Sequence, residues 1–415
     1  MEFPAQAVVW EGDDIQRGNR RRRGGVGAEE TSEAPIRDGR VTDQPRFSIV
    51  INNFNYGRFL SRAIDSALRQ DYPHVEVIVV DDGSTDESPA IIAGYADRCI
   101  AVLGENRGQG AAYNAGFRAS RGDIVLFLDS DDVLYPQAAS AIVRAWTPTT
   151  AKVQFPLEVI DAAERPLGHR MPNLPFVAGD VRALLFAYGY YPSPPGSGNA
   201  FSRRMLERVM PLDEEAWRVG SDGVVIGLAP LYGEVVSLPQ PLAGYRQHDS
   251  NHSEMSGTNL GKIRRDLVNE VNRECAIKEH ADALGYRVGH AMSLRIPGHC
   301  KGRLLSLRLD PAGHPFSQDR GLRLAAAGIA ACWRFPHHSL AKRILATAAF
   351  AALPFVPRRW LRRNLDMMIV ARRRGGLLRR FVPALVETDG EGGAAAPCGV
   401  SPQPVRVGVR SPGNS

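Results

Sequence analysis

The chain has 415 residues, and at about one to two hundred residues per domain that length predicts two or three units rather than one short module. A content of 44% hydrophobic and 23% charged residues is that of a globular protein, which excludes a chain disordered throughout or a collagenous one. The net charge of +6 is local: residues 338–380 hold eleven Lys or Arg against Asp366 alone, so the rest of the chain is acidic. Only five of the basic residues are Lys, an Arg bias of the kind a GC-rich genome also imposes. Cys99, Cys275, Cys300, Cys332 and Cys398 are odd in number and form no C-x-x-C pair, against both a disulfide framework and a structural zinc site, and in favour of a reducing cytoplasm. Residues 1–14 lack the basic start and apolar core of a secretory signal, and no run reaches the eighteen apolar residues of a membrane span.

Residues 1–44 lack apolar periodicity and read as a disordered tail. From Phe47 four short apolar runs follow, at 47–51, 75–80, 100–103 and 124–128, each of strand length. Between the first two, Phe59, Leu60, Ala63, Ile64, Ala67 and Leu68 repeat with a helical period, and Ser84-Thr85-Asp86-Glu87 opens a second helix. Alternating strands and helices predict an α/β fold with a mostly parallel sheet flanked by helices, a Rossmann-like arrangement. Further on come a strand over 152–160, a Pro- and Gly-rich stretch over 188–199, a helix near 222–231, and strands at 235–238 and 243–246. Helices are expected over 262–284, 319–333 and 339–374, forming a basic C-terminal helical extension over 256–386, with a disordered tail over 387–415.

In an open parallel sheet, ligands bind beyond the carboxyl ends of the strands. Two acidic clusters fall there, Asp81-Asp82-Gly83-Ser84 after the second strand and Asp129-Ser130-Asp131-Asp132 after the fourth. Carboxylates at a strand end can accept hydrogen bonds from a base or ribose. Asp129 and Asp131, two apart, would share one side of a continuing strand and suit a hard ion, Mg²⁺ or Mn²⁺, that offsets charge on a departing diphosphate. Either cluster alone is also an ordinary turn or helix cap; their pairing on one sheet is what points to a metal and nucleotide site.

The ordered motifs Ser48-Ile49-Val50-Ile51-Asn52-Asn53-Phe54-Asn55-Tyr56-Gly57, Val79 to Asp86, Asn106-Arg107-Gly108-Gln109-Gly110 with Asn114-Ala115-Gly116, and Arg121 to Asp132 resemble glycosyltransferase family two over residues 46–252. The resemblance implies a GT-A domain over 45–255, a nucleotide-diphosphate sugar donor, UDP-linked by preference, a divalent ion, and inversion at the anomeric carbon. It puts Asn53, Phe54 and Asn55 beside the nucleotide, Asp81 or Asp82 on base and ribose, and the Asn106, Gly108 and Asn114 segment along the nucleotide sugar. Asp129, with Ser130, would approach ribose or sugar, and Asp131 would hold the metal. Asn52 stands where many members have Pro and is expected to supply mainly backbone.

An inverting transfer needs a base on the acceptor side. The resemblance makes Asp222 that base, in Trp217 to Gly223, although Asp before an apolar helix is also a standard N-cap, and Asp213, Glu214 or Glu215 could substitute. Ser197-Gly198-Asn199 could approach donor and acceptor. His248, grouped with Asp131 as a metal candidate, or Arg246 could reach the diphosphate. The acceptor is expected to be a glycan or a lipid-linked or cell-surface polysaccharide precursor.

Residues 344–356 form a thirteen-residue apolar run, too short to span a bilayer, with Lys342, Arg343 and several Arg around it. That mixture suits a helix lying on an anionic membrane surface, on the inner face; the alternative is a buried helix with an Arg-rich solvated face. No nucleic-acid motif accompanies the charge. Two rivals differ in class: a sugar nucleotidyltransferase, which needs a Gly-rich basic loop after the first strand where this chain has Asn52 to Tyr56, and a non-catalytic GT-A-like scaffold or sugar-binding protein.

Overall fold

The computed structural model describes residues 8–10, 44–172, 176–248, 260–289, 291–334 and 339–365. The four apolar runs are β2 (Phe47–Asn53), β3 (Val75–Asp82), β4 (Ile100–Gly104) and β5 (Ile124–Asp129), paired in parallel in the order β4-β3-β2-β5. They are apolar at almost every position because both faces of the sheet are covered. Ile49 and Ile51 face one core with Leu60 and Ile64 of α1 (Gly57–Leu68), while Val50 faces the other with Ala112 and Tyr113 of α3 (Gln109–Ala119). Between β3 and β4 lies the short α2 (Ser88–Ala93). This is the largely parallel, helix-flanked α/β arrangement expected of the GT-A type.

Beyond β5 the sheet changes direction. β10 (Asn199–Ser202) pairs antiparallel with β5 and with β7 (Thr150–Gln154), and β11 (Glu234–Ser237) closes that edge parallel to β7. The strand expected over 152–160 is two strands. Pro156, which has no N–H to give a ladder, separates β7 from β8 (Leu157–Ile160), and β8 joins a second sheet with β6 (Val133–Leu134), β12 (Ala243–Arg246) and β9 (Pro166–Met171). At the opposite edge β1 (Val8–Trp10) pairs in parallel with β4, so these three residues are not the structureless tail that composition suggested. The remainder of that tail, 249–259, the end of the extension and the final tail lie outside the described residues.

The helical extension divides. α8 (Leu260–Ala283) lies on α7 (Ser221–Leu228), where Gly227 leaves room for the Arg273 side chain, and Ile277 and Ala281 complete the core that holds Val224 and Leu228. α9 (Pro297–Leu309), α10 (Gly321–Arg334), α11 (Leu340–Ala352) and α12 (Arg358–Arg363) form a separate core around Leu304, Leu324, Phe350 and Leu361. α9 has no counterpart among the helices expected from the sequence, because its Gly298, Gly302, Lys301 and Arg303 blur the apolar period that marks a helix.

α3 is pressed against the sheet at Gly116, where an added Cβ would overlap Val50 and approach Val80 at 3.1 Å. Overpacking of this kind costs about 1–3 kcal/mol. Gly116→Val should lower unfolding stability in urea by about 2 kcal/mol or more; an unchanged midpoint would contradict so close an approach.

Candidate active site

The ends of β2 and β3 are fixed to each other by a compact network. Asn53 Nδ2 donates to Asp81 Oδ1 at 2.7 Å and to Ser84 Oγ at 3.1 Å, while the Ser84 hydroxyl donates to Asp81 Oδ1 at 2.6 Å. Asn55, at φ 57°, donates its N–H to Ser84 Oγ and accepts Thr85 N–H on its side chain, so it shapes the loop. Phe54 is left 38% exposed at the rim, free to meet a flat ligand. Asp82 is spent differently: its two oxygens accept the N–H groups of Arg107 and Gly108, each at 2.8 Å, which folds the β4–α3 loop over the sheet end.

That loop in turn carries the Asp222 segment. Gly108 has φ 91° and lies so close to Arg218 that a side chain would collide with it. Gln109 and Gly110 donate their N–H groups to the carbonyls of Arg218 and Trp217, each at 2.9 Å, and Asn106 Oδ1 accepts from the Arg218 guanidinium. The Gln109 side chain then accepts from Gly220 N and Ser221 N, satisfying free N–H groups at the start of α7. The cap residue of α7 is therefore Gly220, in the left-handed region at φ 85°, and Asp222 lies inside the first turn, where its carboxylate Oδ2 accepts Gly196 N–H at 3.2 Å. The N-cap alternative for Asp222 does not hold. Asn114, expected along the nucleotide sugar, is turned inward: its amide donates to Leu212 O and accepts from Leu212 N, so it holds the 212–215 loop.

Asp129, Asp131 and Asp132 bring one carboxylate oxygen each to within 4.8 Å of one another. The cause is a turn rather than strand periodicity: β5 ends at Asp129, Ser130 is buried in the bend, and Asp132 N donates back to Asp129 O at 3.0 Å. Asp132, part of the acidic cluster in the sequence but without a role of its own there, is thereby the third member. Burial raises the Asp129 carboxyl well above the ordinary range, and Asp132, Asp131 and Asp222 push it further; burial and Asp131 raise Asp132 likewise. Such a cluster of repelling oxygens fits a divalent cation, whose charge would relieve the repulsion that raises these groups.

The loop before β10 joins this cluster to Asp222. Ser197 Oγ accepts Asp129 N–H at 3.1 Å and bonds the Asp132 carboxylate, while the neighbouring Gly196 N–H meets Asp222. Asn199 holds the loop by donating to the carbonyls of Pro194, Pro195 and Gly196, and its Oδ1 accepts from the buried Lys152 ammonium at 2.9 Å. Burial among these neutral oxygens lowers the Lys152 ammonium well below its usual value. Tyr113, also unselected, stacks on Phe127 at 4.0 Å between ring centroids; its buried hydroxyl has no partner and is raised by burial and by Asp129 and Asp222. A Cβ on Gly196 would lie 3.4 Å from that hydroxyl, 3.6 Å from Asp129 Oδ2 and 3.5 Å from Asp222 Cβ, so all three groups surround one spot. The amide of Asn52, in register with Asp129, is likewise buried and unpartnered, more than the backbone role expected of it. Unpaired buried polar groups are rare in folded proteins, and their gathering here marks a place for a polar ligand.

Arg246 is not available to a diphosphate. Its buried guanidinium donates to the carbonyls of Asp131 and Ala162 and to Glu164, and its backbone N–H meets Asp132, so it buttresses the acidic turn. His248 lies 3.2 Å from Asp131 Oδ2, with its other ring nitrogen 2.9 Å from Arg58 and its ring against Phe59. It can share an ion with Asp131 only by giving up that contact. Among the substitute bases, Asp213 accepts the N–H groups of Glu215 and Ala216, Glu214 pairs with Arg107 at 2.5 Å, and Glu215 is exposed. Asp222 is the acid that the fold brings to the cluster.

Residues 48–209 match the model of the family described as Glycosyl transferase family 2. An uncharacterized glycosyltransferase of Nostoc sp. is 37% identical over 213 residues, 50% of this chain and 66% of its own length. The succinoglycan biosynthesis protein ExoO of Rhizobium meliloti is 34% identical over 219 residues, 49% of this chain and 61% of its own. The chain thus spans less than two thirds of the length of either relative. Among solved structures, residues 1–349 of S. aureus TarS in complex with UDP-GlcNAc align over 78% of this chain and 92% of that one, a loose likeness at TM-score 0.46 and 15% identity. The motifs built into the site above lie within the matched segment or directly after it, and residues 48–209 of the chain form a glycosyltransferase family 2 domain.

Proposed function

We propose that the protein transfers a sugar, with inversion, from a nucleotide-diphosphate donor to an acceptor hydroxyl. The observation that carries this reading is the convergence of Asp222, the Asp129-Asp131-Asp132 cluster and the Tyr113 hydroxyl around the Gly196-Ser197 turn. The nucleotide would lie over the Asn53-Asp81-Ser84 network, its base against the exposed Phe54, with UDP as the favoured nucleotide. Asp131 and its neighbours would hold Mg²⁺ or Mn²⁺, with His248 at the edge; the bound ion would act as a Lewis acid on the diphosphate.

Asp222 takes the acceptor proton. Burial raises its carboxyl above the ordinary range, which makes the carboxylate a stronger base, while the Gly196 and Gly223 N–H groups and Arg273 of α8 oppose the shift. The Gly196 bond also fixes the direction in which Asp222 points. Tyr113 stays protonated, because burial and the nearby Asp129 and Asp222 carboxylates disfavour the phenolate, and so has a proton to donate to a substrate oxygen. The chemistry suits a glycan or lipid-linked polysaccharide precursor as acceptor, consistent with a relative named for succinoglycan biosynthesis, and a place at the cytoplasmic face of the membrane.

Asp222→Asn should lower kcat by about 10²- to 10⁴-fold with nucleotide binding unchanged. Because a base works only when ionised and this carboxyl is raised, kcat/KM should climb with pH along an acid limb above the ordinary carboxylate range, and the variant should lack that limb. A wild-type limb retained in the variant would assign the base elsewhere. Asp131→Asn should abolish the rise in melting temperature that Mn²⁺ gives the wild type, without lowering the metal-free value, since it keeps the size of the side chain while removing a carboxylate that opposes the ionisation of Asp129 and Asp132. An undiminished Mn²⁺ shift would place the ion outside the cluster.

A further inference from the structure

The apolar run of the extension is not a buried helix with an arginine-rich outer face. α11 is buried along Ala346 and Phe350, yet its opposite side exposes Leu340, Ile344, Leu345 and the alanines at 348, 351 and 352. Leu340 is 64% exposed and Ile344 57%, where a helix of a globular protein ordinarily carries polar side chains. The apolar exposure continues beyond the helix: Phe355 is 74% exposed and lines one pocket with Leu322, Arg308 and Arg358. Trp333, 46% exposed, is tied to the flank of α11 by a bond from its indole N–H to Thr347 Oγ1 at 3.0 Å.

Charge adjoins this apolar surface at Phe355, which shares its pocket with Arg308 and Arg358. Arg358, Arg359, Arg362 and Arg363 of α12 are exposed together with Trp360, and residues 339–365 contain no acid. Among the described residues no helix is long and apolar enough to cross a membrane. An apolar stripe bordered by arginines and tryptophans matches the boundary of an anionic bilayer, where acyl chains take the stripe, indole rings sit at headgroup level and phosphates meet the guanidinium groups. We propose that the surface formed by α11, the 353–355 turn and α12 docks the protein on an anionic lipid surface, lying in the interface without spanning it. Nucleic acid would use the arginines but leave the stripe in water, so the lipid surface accounts for more of what is exposed. This docking does not depend on the donor, base or metal assigned above.

The test is sedimentation of the full chain with vesicles of phosphatidylcholine, alone and mixed with phosphatidylglycerol. The wild type should sediment with the mixed vesicles, weakly with the neutral ones, and less as salt is raised. Arg358→Ser/Arg362→Ser and, separately, Ile344→Glu/Leu345→Glu should each weaken binding about tenfold or more, with melting temperatures near wild type because the replaced groups are exposed. Phe355→Ser, at the most exposed position, provides a second apolar test. Equal recovery with and without phosphatidylglycerol would overturn the proposal. So would duplex DNA binding that depends on the arginines but not on Ile344 and Leu345, or a wild-type dimer in ultracentrifugation that Ile344→Glu/Leu345→Glu dissociates.

Discussion

Carboxylate crowding at the carboxyl end of the sheet is the constraint on which the rest of the site depends. Asp129, Asp131 and Asp132 are drawn into one turn, and Asp222 is brought toward them from another helix, although burial opposes the ionised forms of Asp129, Asp132 and Asp222, and neighbouring carboxylates oppose those of Asp129 and Asp132 as well. A fold keeps such an arrangement only if other interactions over-determine it. Here they are identifiable: Ser197 bonded to both ends of the acidic turn, Arg246 beneath it, and the Asn199 and Lys152 anchors of the Pro-rich loop. The ordinary apolar packing of the two cores supplies the stability against which this local cost is set.

The position of Asp222 follows from a chain of backbone contacts. Asp82 folds the 106–108 loop, the start of α3 binds the 217–218 carbonyls, and Gln109 satisfies the first N–H groups of α7. Asp82 thus helps to orient Asp222, roughly 140 residues further along the chain, through hydrogen bonds that neither residue makes to the other. α8 adds to this from the other side, with Arg273 close to α7, so the extension packs into the α/β core at its beginning and forms a separate helical core only from α9 onward.

The parallel strands, their flanking helices and the acidic strand ends were legible in the sequence because each has a local signature: continuous apolar runs, a 3.6-residue period, and Asp before Gly or Ser. The division of 152–160 between two sheets was not, since Pro156 is a single residue inside an otherwise uniform run. Tyr113 and Lys152 are silent in the sequence for a different reason. An isolated Tyr or Lys inside an apolar or helical segment has no motif, and its importance comes from what the tertiary fold leaves around it. Asn114 shows the converse: it lies within a recognisable motif but spends its amide on Leu212. The apolar character of α11 is plain in the sequence, but which of its sides faces outward is a property of packing against α10, because apolar residues occupy both its buried and its exposed sides.

The central claim is that the strand-end carboxylates form a metal-dependent nucleotide site. Calorimetry of UDP and of GDP binding to the purified chain, with Mn²⁺ and again with chelator, tests it most directly. The account predicts binding of one nucleotide, UDP by preference, that requires the ion; absence of binding by folded protein in every condition would contradict it.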